Sequence, residues 1–178
     1  MKALVIYESM YGNTHHIANA IADGMRSHGE VTVVPVDEVS PELVQAADVI
    51  VVGGPTHVHG MSRATTRKTA VEAADKAGSF RVVEGEADGL GLREWFASLS
   101  RLDKRAAAFD TRVDLPAALT GRASKGIARE LRHHGATMIA EPESFFVTKS
   151  DHLVAGEQAR AHAWGEQLGD DSKNHQLR

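Results

Sequence analysis

The run Ala3-Leu4-Val5-Ile6-Tyr7 is apolar throughout. A strand with one wet face alternates apolar and polar residues, whereas one apolar on both faces is covered on both, as in a parallel sheet flanked by helices. A helical pattern follows, with Ile17, Ile21 and Met25 recurring every four residues. Between strand and helix lies Glu8-Ser9-Met10-Tyr11-Gly12-Asn13-Thr14. That order aims free backbone N–H groups and a helix N-terminus at one spot, which attracts anions, phosphate above all. Gly12 lets the backbone turn tightly and approach a ligand closely. The Ser9 and Thr14 hydroxyls and the Asn13 amide can each donate to a phosphate oxygen.

The loop contains no Lys or Arg, so it suits a phosphate monoester held by dipoles better than a triphosphate that needs Lys and magnesium. A dinucleotide fingerprint would read G-x-G-x-x-G, and only one Gly is present; a triphosphate loop would place Lys after its last Gly. A phosphoacceptor domain would cluster acids after the first strand, but Glu8 stands alone and the third strand ends in Gly53-Gly54-Pro55. We read the loop as the seat of the phosphate of flavin mononucleotide (FMN).

Further along, strand two is expected over Val31–Val36, and its Pro35, which cannot donate to a ladder, places it at a sheet edge. Ser40-Pro41-Glu42 starts a short helix with an N-cap hydroxyl, a proline and an acid. Strand three, Val49–Val52, is again apolar throughout and therefore central; strand four is Ala106–Phe109. Between them we expect a polar helix over about 62–76, an irregular segment over 78–91 and a helix over 92–102 with Leu92, Trp95, Phe96 and Leu99 on its apolar face. A helix over about 123–134 stops at Gly135, and strand five is split into 136–140 and 144–147 by the turn Glu141-Pro142-Glu143, which suggests the other edge. The last helix is expected from near Ser150-Asp151, giving way to a loose polar tail over 169–178.

Alternating strands and helices imply right-handed crossovers. With strands two and five outside, a five-stranded parallel sheet in the order 2-1-3-4-5 follows, sandwiched between helical layers, as one α/β domain over residues 1–168. Its switch point lies between strands one and three, where ligands bind at the carboxyl ends. The loops there are Ser9–Thr14, Gly54–Gly60 and Asp110–Pro116.

The 178 residues carry a net charge of −4 and no basic tail, which argues against nucleic acid as a partner. The absence of Cys removes disulfides and thiolate chemistry and fits a reducing cytoplasm. The first strand begins at once, leaving no room for a signal peptide, and no apolar run approaches the roughly 20 residues that span a bilayer. We therefore expect a cytoplasmic globular domain.

Three segments resemble the flavodoxin family, including its quinone-reductase relatives: Tyr7–Thr14, Val51-Val52-Gly53-Gly54-Pro55-Thr56-His57, and Ala107-Ala108-Phe109-Asp110-Thr111-Arg112. The resemblance covers roughly residues 1–168 in element order and implies a flavodoxin-like three-layer fold. It implies that Ser9, Met10, Tyr11, Gly12, Asn13 and Thr14 hold FMN phosphate. It also implies that Pro55, Thr56 and His57 flank the isoalloxazine ring on one side and Asp110, Thr111 and Arg112 on the other. Arg112 beside a reduced, anionic flavin would raise its two-electron potential. Two departures stand out. Electron-carrying flavodoxins usually sandwich the flavin between aromatic residues, and here the second loop has His57 and His59, with no aromatic in the third after Phe109. An insertion over about 58–90 also exceeds what a minimal flavodoxin needs, and we expect it to cover the flavin face or form a subunit interface.

Other candidates read more plainly. His57-x-His59 lacks a third metal ligand, so flavin-facing or solvated imidazoles are preferred. His15-His16 falls in the first helical turn and reads as surface, and His133-His134 suits a helix C-terminus. Arg63, Arg67 and Lys68 read as a solvated face, with the phosphates of NAD(P)H as the alternative. The resulting expectation is an FMN redox protein passing electrons between a reductase or NAD(P)H and an acceptor, which could be a partner protein or a small molecule such as a quinone. The reductase form implies a homo-oligomer. The competing reading is a flavin-free interaction or regulatory domain of the same fold.

Overall fold

β1 (Lys2–Tyr7) sends Leu4 and Ile6 into one hydrophobic layer and Val5 and Tyr7 into the other, which is why every position of the run is apolar. The structure, a computed structural model, describes residues 1–57, 60–62 and 90–174. After β1 come α1 (Asn13–Met25) and β2 (Glu30–Pro35). Next is α2 (Pro41–Ala46), whose Ser40 N-cap hydroxyl accepts a hydrogen bond from the Leu43 N–H at 3.3 Å. β3 (Val49–His57) folds back on β4 (Gly60–Met61), and α3 (Leu92–Ser98) leads to β5 (Arg105–Val113). The chain then runs through α4 (Ala117–Thr120), α5 (Ala123–His133), β6 (Thr137–Met138), β7 (Glu143–Val147) and α6 (Glu157–Asn174).

Among the described residues the sheet runs β2-β1-β3-β5, with β6 and β7 both paired to β5 and all of these pairs parallel. This is the expected 2-1-3-4-5 order, with β5 as the fourth strand and the divided fifth supplied by β6 and β7. Pro35 lies on the edge strand opposite Tyr7, where its missing N–H costs no ladder bond. One face of the sheet packs on Leu92, Trp95, Phe96, Ile127 and Leu131, and the other on Ile17, Ile21, Met25, Trp164 and Leu168. Each such side chain contributes roughly 1.5–3 kcal/mol when fully buried.

α1 and α6 meet backbone to backbone. A Cβ on Gly24 would lie 2.1 Å from the His162 carbonyl oxygen, and one on Gly165 would lie 2.1 Å from that of Ile21. Only a residue without a side chain permits that approach.

Four expectations are corrected. β3 and β5 run past their apolar stretches, because their register continues through Gly54 opposite Asp110 and Pro55 opposite Thr111. α3 stops at Ser98, well short of Leu102. The final helix starts at Glu157, not near Ser150; Asp151 (φ 58°) and Gly156 (φ 88°) both hold turn conformations before it. That helix then continues past Gly169 to Asn174 where a loose tail was expected. Ser172 is buried; its hydroxyl donates to the Leu168 carbonyl at 2.7 Å, and its own carbonyl accepts from the Arg105 guanidinium. The helix expected over 62–76, with Arg63, Arg67 and Lys68, the irregular segment as far as residue 89, and His59 lie outside the described residues, Ser62 excepted. No helix among the described residues is long and apolar enough to cross a membrane.

Candidate functional site

The registers that align Tyr7 with Gly53 and Pro55 with Thr111 bring the three carboxyl-end loops side by side. One cavity there is lined by Met10, Tyr11, Asn13 and Thr14 from the first loop, Pro55, Thr56 and His57 from the second, and Thr111 and Arg112 from the third. Val113, Val147 and Asp151 complete its wall. Its volume of about 170 Å³ falls below the range of sites that enclose a whole small ligand. A nucleotide would be gripped at the loop ends and remain partly outside.

In the first loop Gly12 takes φ 82° and precedes α1 as its N-cap, with no side chain capping the helix. The Gly12 N–H donates to Ser9 Oγ at 3.1 Å, which closes the turn. The Thr14 and Thr111 hydroxyls share a hydrogen bond of 2.8 Å, and the Asn13 amide donates to the Asp151 carbonyl at 2.8 Å. The three polar side chains expected to donate to a phosphate thus also brace the loop. What the loop offers an anion is the uncapped start of α1, with its N–H groups and positive dipole end.

The second and third loops are locked by Asp110, which is fully buried. One carboxylate oxygen accepts from Thr56 Oγ1 at 3.1 Å and from the Ser124 N–H at 2.7 Å, and Thr56 Oγ1 itself accepts from the Ala123 N–H at 2.9 Å. Thr56 and Asp110 therefore cap α5, whose own N-cap Arg122 makes no side-chain cap bond. Asp110 does not line the cavity; it fixes Thr56, which does.

Arg112 reaches the cavity wall, but its Nη1 donates to the Leu115 carbonyl at 2.6 Å and to Thr120 Oγ1 at 3.2 Å, and its guanidinium lies 4.7 Å from the Phe146 ring centre. Among the described residues Arg112 Nε and His57 Nε2 are buried without a hydrogen-bond partner. Burial lowers the His57 pKa from its ordinary value, against the opposing pull of Glu8 and Asp151, so the ring is neutral at pH 7. A neutral imidazole offers one donor and one acceptor.

Two residues were missed as contributors. Asp151 stood in the sequence as part of a helix start, yet it receives Asn13, lines the cavity and acts on His57. Glu8 was noted only as an isolated acid. It is buried, accepts from the Leu92 N–H at 2.9 Å and from the Ser62 hydroxyl, and so anchors α3 beside the site. A lone acid directly after an apolar strand was the available signal for it. Among the described residues no group of three or more metal-ligating side chains forms.

The sequence profile of the family described as Flavodoxin matches residues 5–109. No curated protein sequence matches the chain. A flavodoxin from the domain Archaea superposes with a TM-score of 0.65 at 23% identity, covering 97% of this chain and 99% of its own. A flavodoxin, WrbA-like protein from Agrobacterium tumefaciens gives 0.63 at 20% identity, covering 98% of each chain. Oxidised flavodoxin 1 from Bacillus cereus gives 0.63 at 19%, covering 98% of this chain and 99% of its own. These likenesses establish a common fold.

Proposed function

The chain belongs to the flavodoxin family, and from that premise we propose that it binds FMN and transfers electrons between a reductase or NAD(P)H and an acceptor such as a quinone. The observation that carries this reading is the meeting of an uncapped, Gly12-led helix start with the Pro55–His57 and Thr111–Arg112 segments around one cavity. The donor set fits a flavin nucleotide. Backbone N–H groups of the Tyr11–Thr14 turn would hold the phosphate. His57 Nε2 and Arg112 Nε, both buried and unpaired, are polar atoms that a ring carbonyl or ring nitrogen would satisfy.

Bound flavin supplies the redox chemistry; the chain's share is binding, orientation and electrostatics. Thr56, clamped between Asp110 and the start of α5, gives the second loop a fixed position from which its backbone meets the ring edge. The Arg112 charge is held near the cavity by the loop carbonyls it bonds, and it would favour an anionic reduced ring. A neutral His57 adds a hydrogen-bonding edge without a second charge. Among the described residues the cavity wall carries one aromatic ring besides His57, that of Tyr11, and so no aromatic pair to sandwich the flavin, which favours the reductase over the one-electron carrier.

The test is spectroscopic. The purified protein should be yellow, with the absorbance bands of oxidised flavin, and anaerobic NADPH should bleach them. Bands that persist under NADPH but bleach with a protein reductase would assign the carrier. A colourless protein that takes up no added FMN would leave only the flavin-free domain.

A further inference from the structure

A second cavity is lined by Gly60 and Met61 of β4 and by residues of α3, α4 and α5. Along α5 the lining positions Lys125, Arg129 and His133 recur every four residues, a single helix face, and Arg122 stands at the N-cap of that helix. Arg93 faces them from α3. The main chamber measures about 570 Å³ and a side chamber sharing Met61, Arg93 and Glu130 about 330 Å³, both within the range of small-molecule sites.

Charge sets this trough apart. Three arginines elsewhere meet carboxylates, Arg26 with Asp23, Arg101 with Asp103, and Arg160 with Glu143 and Glu157, while Arg105 and Arg112 bond backbone carbonyls singly, away from other cations. Here Arg93 donates only to the Met61 and Ser62 carbonyls, and Arg122 only to Ser144 Oγ and the Pro142 carbonyl. Among the described residues Lys125 and Arg129 have no hydrogen-bond or ion-pair partner. Among the described residues four cations therefore share one acid in the lining, Glu130, in a chain whose net charge is −4. Two of the guanidinium groups are already fixed by backbone bonds, which lowers the entropy lost when an anion arrives.

We propose that this trough binds a phosphate-bearing small molecule of the nucleoside diphosphate class, with the diphosphate between Lys125, Arg129 and the two anchored arginines. A concave chamber of this size with several converging donors fits a diphosphate better than it fits the flat acidic face of a protein. Arginine and lysine together match its multiple oxygens. The site shares no lining residue with the flavin cavity, so it stands whether or not FMN binds there.

The experiment is calorimetric titration of the protein, with and without excess FMN, with inorganic pyrophosphate and with ADP. Both should bind, more weakly as salt rises. Lys125→Glu with Arg129→Glu should weaken both by at least about tenfold, while Arg132→Glu, on the same helix but outside the trough, should change neither. Circular dichroism would show both variants folded. Absence of heat with either ligand, equal affinity in the double variant, or binding that FMN abolishes would overturn the assignment, the last by placing the anion in the Gly12 loop.

Discussion

Thr56 and Asp110, 54 positions apart in sequence, are joined by a 3.1 Å hydrogen bond whose carboxylate oxygen also receives the Ser124 N–H. One buried acid thus ties two loops of the site to the start of α5. Asp110→Ala should cost about 1–3 kcal/mol of stability by orphaning two buried donors, read as a lower urea midpoint. Asp110→Asn keeps one acceptor and should lose less. Equal stability of all three proteins would remove the clamp.

Gly12→Ala places a Cβ on a residue at φ 82°. The left-handed backbone costs about 1–2 kcal/mol for an L side chain. FMN affinity should fall further than unfolding free energy does, because the turn that aims the N–H groups shifts. Fluorescence quenching by FMN, set beside urea unfolding of the apoprotein, separates the two.

The pH dependence follows from His57, whose pKa is lowered from 6.5. The folded state therefore binds less proton than the unfolded chain below that value. The stability associated with a neutral ring is complete above about pH 6.5 and is lost progressively as pH falls toward the lowered folded value. His57→Gln should flatten that slope in urea titrations across this window. An unchanged slope would mean that the ring titrates freely.

Arg112→Ala should lower the two-electron potential of bound flavin by about 20–90 mV, the range for one charge a few ångströms away at intermediate dielectric. Arg112→Lys should recover part of that shift. A potential equal to the parent's in Arg112→Ala would show that the loop carbonyls had already neutralised its influence.

Gly165→Ala should destabilise the protein by about 1–3 kcal/mol through overpacking, since its Cβ would meet the Ile21 carbonyl. Thermal denaturation reads this directly.

Much of the fold was legible in the sequence because its central strands are apolar on both faces and because Pro35 marks one edge. The extensions of β3 and β5 were not. Gly53–His57 and Asp110–Val113 are held by backbone pairing, which leaves no apolar pattern. The end of α6 was hidden for a related reason: its polar residues dock through Ser172 and a carbonyl bond from Arg105, not through a hydrophobic stripe. At the site, the three segments that line one cavity were legible in the sequence, but the bonds their side chains make within the protein were not. Ser9, Asn13 and Thr14 brace the loop, and Asp110 turns inward as a remote cap. The weak local N-cap of α5, Arg122, was the trace of that cap in the sequence.

The most direct test compares FMN with riboflavin in a calorimeter, because the two differ only in the phosphate that we propose the Gly12 turn holds. One FMN per chain, bound at least about tenfold more tightly than riboflavin, is the predicted result. Equal affinities, or no heat from either flavin, would contradict it.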